Sequence, residues 1–133
     1  MSTVIQPEGW VPPRGYANGI VATGKQLFIG GQIGWNPRSS TPEFPPTFEG
    51  QFEQTLSNIC EVLEAAGGKP ENLTRLTVYV TDKREYLSSL KAIGAAWKKH
   101  LGRHYPAMAL VQVVALVEDL AKVEIEATAV LEN

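Results

Sequence analysis

The chain is poor in cysteine, histidine and excess charge, and each shortage removes a class of function. One cysteine, Cys60, cannot close an internal disulfide, so a scaffold held by bridges is excluded. Cys60 falls inside a helical pattern, where a buried and inert thiol is expected. The two histidines, His100 and His104, stand four apart, but Gly102 interrupts the helix between them and no third ligand follows. No metal site is expected. Lys and Arg number 12 against 14 Asp and Glu, a net charge of −2 with a pI near 5.7. The short runs Lys98-Lys99-His100 and Arg103-His104 do not make the basic stripe that nucleic-acid binding needs. No apolar run approaches the ~20 residues that span a bilayer. The first eight residues lack the basic start and apolar centre of a secretion signal. A soluble cytoplasmic protein, with neither membrane nor nucleic acid as partner, is the expectation.

What is present is an ordinary globular balance, 44% hydrophobic and 20% charged. Residues 1–133 read as one domain, large enough to bury roughly two-thirds of its unfolded surface. The order of elements predicted is β-β-α-β-α-β-β. Gly15 to Val21 reads as a strand, and Ala22-Thr23-Gly24-Lys25 as a tight turn. Gln26 to Ile33 is a second strand, whose internal Gly30-Gly31 marks a bulge, a close approach by a ligand, or tight packing. Asn36 to Thr47 holds four of the nine prolines and reads as a long loop of the functional or mobile kind. Phe52, Leu56, Ile59, Val62, Leu63 and Ala66 then form one helical stripe, stopped by Gly67-Gly68. Leu73 to Val80 is a β-branched strand. Asp82, with Glu85 three residues on, predicts a capped second helix carrying Tyr86, Leu90, Ile93, Trp97 and Leu101 on one face.

Met108 to Leu116 is nearly continuous apolar sequence, as for a strand buried on both faces. Lys122 to Leu131 alternates, with Val123, Ile125, Ala127 and Ala129 on one side and Glu124, Glu126 and Thr128 on the other. This is an α+β plan: one mixed sheet with two helices on one face. The helix-free face of the Met108 strand is also apolar, so the sheet wants a partner and the chain should oligomerise.

Four patches in this order resemble the RidA/YjgF family, also called the L-PSP endoribonuclease family. They are Arg14-Gly15-Tyr16-Ala17-Asn18-Gly19, Phe28-Ile29-Gly30-Gly31-Gln32-Ile33, Asn58 to Gly67, and the pair Tyr105-Pro106-Ala107 with Val123-Glu124-Ile125-Glu126-Ala127. The resemblance covers nearly the whole chain. It implies a chorismate-mutase-like fold, a homotrimer, and a small-molecule cleft at each subunit boundary. In deaminating members that cleft hydrolyses enamines and imines derived from amino acids, with no metal or organic cofactor.

Carried over by position, Glu124 matches the residue that positions or protonates the attacking water. Tyr16 and Gly31 match cleft-lining residues. Gly30 replaces a serine. Met108 replaces the arginine that grips the substrate carboxylate, and a thioether offers no positive charge. The usual small 2-imino acids are therefore not the expected substrates. Arg14, Arg103 and His104 are the candidate replacement cations. Arg103 also reads as a solvated charge at a helix end, His104 as a turn residue, and His100 as solvated. Tyr105 is a candidate for the cleft rim and Trp35 is a residue to watch, whereas Tyr79 reads as core or interface.

Three functions compete. One is a cofactor-free hydrolase of an imine, enamine or related reactive metabolite. The second is a small-molecule-binding or regulatory protein that lost the chemistry. The third is the ribonuclease or translation initiation inhibitor of the family's older label, which an acidic chain disfavours.

Overall fold

A computed structural model describes residues 2–132. Its main sheet has four strands in the order β3-β6-β4-β5: β3 (Lys25–Ile33), β4 (Leu73–Val80), β5 (Ala107–Gln112) and β6 (Val123–Leu131). β6 is antiparallel to both neighbours and β4 runs parallel to β5, so the sheet is mixed. Helices α1 (Phe48–Ala65) and α3 (Leu90–Leu101) pack side by side on one face.

Alternation explains which face they cover. Val123, Ile125, Ala127 and Ala129 of β6 are all buried, as are Leu76, Val78 and Val80 of β4. Against them lie Phe52, Leu56, Ile59 and Leu63 of α1, each at most 1% exposed. Full burial of one such side chain stabilises the fold by about 1.5–3 kcal/mol. α3 adds Ile93, Trp97 and Leu101 to the same cluster. Thr47 caps α1 by accepting the Gly50 N–H at 3.1 Å, and Asp82 caps the next helix by accepting that of Arg84 at 2.9 Å.

The structure departs from the sequence-based plan in several places. Ser2–Ile5 forms a further strand, β1, antiparallel to β2 (Gly19–Ala22). These two make a separate small sheet, so β2 and β3 flank the Gly24 turn without pairing. Residues 15–18 are not regular strand. Ala17 instead bridges Ala107 in parallel, and its N–H donates to the Pro106 carbonyl at 3.0 Å. The second helix is two helices, α2 (Lys83–Leu87) and α3, separated by Ser88 and Ser89. The Ser88 hydroxyl donates to the Glu85 carbonyl at 3.2 Å, the local competition that makes serine a weak helix interior residue. Glu85 completes no capping box. Its carboxylate takes Lys122 Nζ at 3.2 Å.

β5 ends at Gln112, and in a single copy its Met108 and Leu110 are partly buried toward the helices while Ala109 and Val111 are exposed on the helix-free side, which no element covers. Residues 113–122 form a loop with Val114 and Val117 fully exposed. The proline-rich loop is tied down at several points. Asn58 Nδ2 donates to the carbonyls of Ile33 and Trp35, both at 3.0 Å. Arg38 pairs with Glu61, and Trp35 packs on Phe44 with ring centroids 6.0 Å apart. Gln51 is buried and holds two loops at once. Its Nε2 donates to Pro45 at 3.2 Å and Leu120 at 3.0 Å, while its Oε1 accepts the Lys122 N–H at 2.8 Å. Gly34 presses on this residue so closely that a Cβ there would lie 2.7 Å from the Gln51 carbonyl oxygen.

Candidate functional site

The strand registers split the expected site residues into two groups on opposite faces of the sheet. Glu124 lies opposite Tyr79 on β4 and Ile33 on β3, among the outward positions of β6. The β3–β6 register shifts at Gly30 and Gly31, a bulge. A Cβ on Gly31 would fall within the Glu124 carboxylate, whereas one on Gly30 would meet no atom within 4 Å. Glycine at 31 is what lets this acid lie against the bulge. Tyr79 completes the group: its hydroxyl donates to Glu126 at 2.9 Å. That bond, then burial and the Glu126 and Glu124 charges, push the Tyr79 phenol above its ordinary value. Tyr79, expected as core or interface, lies on the helix-free face beside Glu126. Its phase, shared with Arg75 and Thr77 on the helix-free side, was the available signal.

Met108 points the other way. It pairs with the buried Leu76, and Leu110 with Val78, so both pack toward the helices. Here the edge strand, α3 and the Arg14–Gly15 bend border a half-open cavity of ≈ 290 Å³ walled by Phe52, Ile93, Trp97, Met108 and Leu110. Tyr105 lies at its exposed side, stacked on Trp97 at 5.9 Å with an interplanar angle of 10°. Tyr16 lines a second hollow at the β5 edge with Arg75, Ala107, Met108 and Ala109. The structure therefore sets Tyr105 and Met108 at the cavity on the helix side and Gly31 with Glu124 on the helix-free face, while Tyr16 lies at the β5 edge in a hollow that Met108 shares with Arg75.

Among the candidate cations, only Arg14 lines the Met108 cavity. His104 and Arg103 lie in a separate hollow with Pro70, Glu71 and Lys98 to His100. The His104 Nε2 donates to the Leu73 carbonyl at 2.7 Å, and its own carbonyl accepts Trp97 Nε1 at 2.9 Å. These bonds pin the α3–β5 turn to β4. His100 is mostly covered rather than solvated, with Nε2 3.2 Å from Glu53 Oε2. Trp35 lines a hollow in the proline-rich loop, away from both groups. Among the described residues no three His, Cys, Asp or Glu side chains gather as a metal site would require. Among them, too, no helix is long and apolar enough to cross a membrane. Burial pushes the Cys60 thiol up to about 11, which leaves little thiolate for nucleophilic work.

Comparison with known proteins identifies the architecture. The model of the endoribonuclease L-PSP family matches residues 10–131. A 2-iminobutanoate/2-iminopropanoate deaminase of Escherichia coli is 35% identical over 115 residues, 86% of each chain. A RutC family protein of Pyrococcus horikoshii is 31% identical over 129 residues, 97% of this chain and 98% of the relative. Among solved structures, a Yersinia pestis Rid-family protein of unknown function superposes with a TM-score of 0.84 at 32% identity, covering 98% of both chains. Escherichia coli TdcF with bound serine gives 0.72 at 30% identity, covering 98% and 99%. The mixed sheet with its helices on one face is thus the YjgF/Rid fold, and the chain belongs to the endoribonuclease L-PSP family, the RidA/YjgF group.

Proposed function

We propose that this protein is a hydrolase of a small imine or enamine and works as a homotrimer, in a cleft where the Glu124 face of one copy meets the Met108 cavity of the next. The observation that carries this reading is Glu124 seated against the Gly31 bulge. An acid there can take a proton from water as the water oxygen bonds to the imine carbon, then return it to the departing nitrogen. The carbon–nitrogen bond breaks, and a carbonyl compound and ammonia leave. The two groups lie on opposite faces of one sheet, so a second copy is the simplest way to unite them. The helix-free face offers apolar surface for that contact, with Phe28 72% exposed and Val111 44%.

Relatives with a deaminase name support the reaction class. Met108 argues against small 2-imino acids as substrates, because an unpaired carboxylate buried beside a thioether is penalised. The same residue favours a second reading, a binder without turnover. A ribonuclease is disfavoured by the acidic chain, with a pI near 5.7.

The test is Glu124→Gln, which keeps shape and removes the proton carrier. Ammonia release would be followed from imines that carry no carboxylate, generated in solution by an amine oxidase. Turnover should fall at least ~100-fold, with the assembly unchanged by light scattering. Full activity in the variant rejects the mechanism. Absence of turnover in the unaltered protein, with ligand binding intact, selects the binder. A monomer at micromolar concentration rejects the shared cleft.

A further inference from the structure

We propose that Arg14 anchors the anionic end of an amphipathic ligand whose flat apolar body fills the Met108 cavity. This rests on reading that cavity as the substrate-holding half of the cleft. The cavity lies near the small end of the ligand range, about 300–1,000 Å³. Its walls are mixed, more apolar than polar, and the stacked Trp97–Tyr105 pair supplies an aromatic surface beside Phe52 and Met108. Arg14 is the one charged side chain that lines it among the described residues.

Arg14 is also uncommitted. Arg38 and Arg84 are paired with Glu61 and Asp82, whereas Arg14 makes no hydrogen bond or ion pair among the described residues. Arg14 is itself exposed, in a bend, but the chain just after it is tied to the cavity wall. Three residues on, Ala17 is buried, bridges Ala107, and donates its N–H to Pro106. Ala107 directly precedes Met108, so the cation and the cavity floor share one anchor.

Charge complementarity then selects the occupant. A wholly apolar ligand leaves the guanidinium idle. A small carboxylate leaves the aromatic walls unfilled and finds no charge at Met108. A monoanion with a ring and a short chain satisfies both, because guanidinium and carboxylate form a paired, charge-assisted contact. The anion is held at the Arg14 side of the cavity instead of at position 108, which sets the preferred ligand length.

The experiment titrates the assembled protein with 3-phenylpropanoate, its neutral amide 3-phenylpropanamide, and acetate. The acid should bind roughly ten- to a hundredfold tighter than the amide, and acetate should not bind measurably. Arg14→Gln should remove that preference and leave the affinity for the amide unchanged. Equal affinities for acid and amide, a preference that survives Arg14→Gln, tight binding of acetate, or no binding of any probe would each overturn the proposal. Glu124→Gln keeps the two ideas separable. If it retains turnover while the Arg14 results hold, the hydrolytic reading fails and the anchor stands. If it abolishes turnover while Arg14→Gln changes no affinity, the anchor fails alone.

Discussion

Gly94→Ala should make the protein more stable and its cavity a poorer host. Gly94 is the fifth of the twelve residues of α3 and lines the Met108 cavity. A helix-interior glycine costs about 0.8–1.0 kcal/mol relative to alanine, largely through the freedom it regains on unfolding. A Cβ built at this position meets no atom within 4 Å, so no steric penalty offsets the gain. For a chain of this size, that gain corresponds to a rise in Tm of roughly 2–6 °C. The same methyl occupies space that a ligand would use. Losing room for about one methylene costs ~0.8 kcal/mol of apolar contact, or roughly fourfold in affinity. Thermal scanning of the two proteins at equal concentration gives the first quantity, and titration with 3-phenylpropanoate gives the second. A lower Tm would mean that another copy covers Gly94. A higher Tm with unchanged affinity would mean that the ligand does not use this cavity.

Two further outcomes test the packing around it. Glu53 accepts from Lys99 Nζ at 2.8 Å and contacts His100, and these hydrogen bonds hold its carboxyl below the ordinary 4.5. Since the folded value is depressed, the contribution is present above 4.5 and is lost as pH falls through the folded value. Urea midpoints of the natural protein and Glu53→Gln should therefore differ at neutral pH and converge on acidification, and a pH-independent gap would refute the link. Cys60, pushed up from 9.0 to about 11 by burial, should react with iodoacetamide at pH 8 ~100-fold more slowly than in the unfolded chain. Rapid native alkylation would show that the α1–α3 contact opens readily.

Much of this arrangement was legible because local patterns and burial agree. Phe52, Leu56, Ile59 and Leu63 of the α1 stripe and the alternation of β6 match the buried set, while Val62 is half-buried and Ala66, past the helix end, is exposed. The unforeseen β1 is four exposed residues with no buried phase, so no periodic signal existed. The break at Ser88-Ser89 sat inside a continuous apolar stripe, which hid it. For the candidate site, Gly31 and Glu124 were expected to line one cleft between subunits, and in a single copy they lie together across the β3–β6 pair. Met108 was expected in that same cleft between subunits; within one copy it faces the helices, a direction hidden in the sequence because Met108 to Val111 is apolar in both phases. Only the parallel register with β4, a long-range property, decides its direction. Arg14 was one of three candidate cations in the sequence, and the bridge from Ala17 to Ala107 is what separates it from His104 and Arg103.

The buried amide of Gln51 has a consequence for how the molecule opens. Residues 34–47 and 113–122 are distant in sequence, yet Pro45, Leu120 and Lys122 all bond to this one side chain. Neither loop can lift its hydrogen-bonded end without stranding an amide proton or oxygen in the core, a cost of about 1–3 kcal/mol per group. Once one lifts and water enters, the other loses its reason to stay. The two loops therefore form a single cooperative unit of local unfolding, so their amide protons should exchange with solvent together, at a free energy set inside α1.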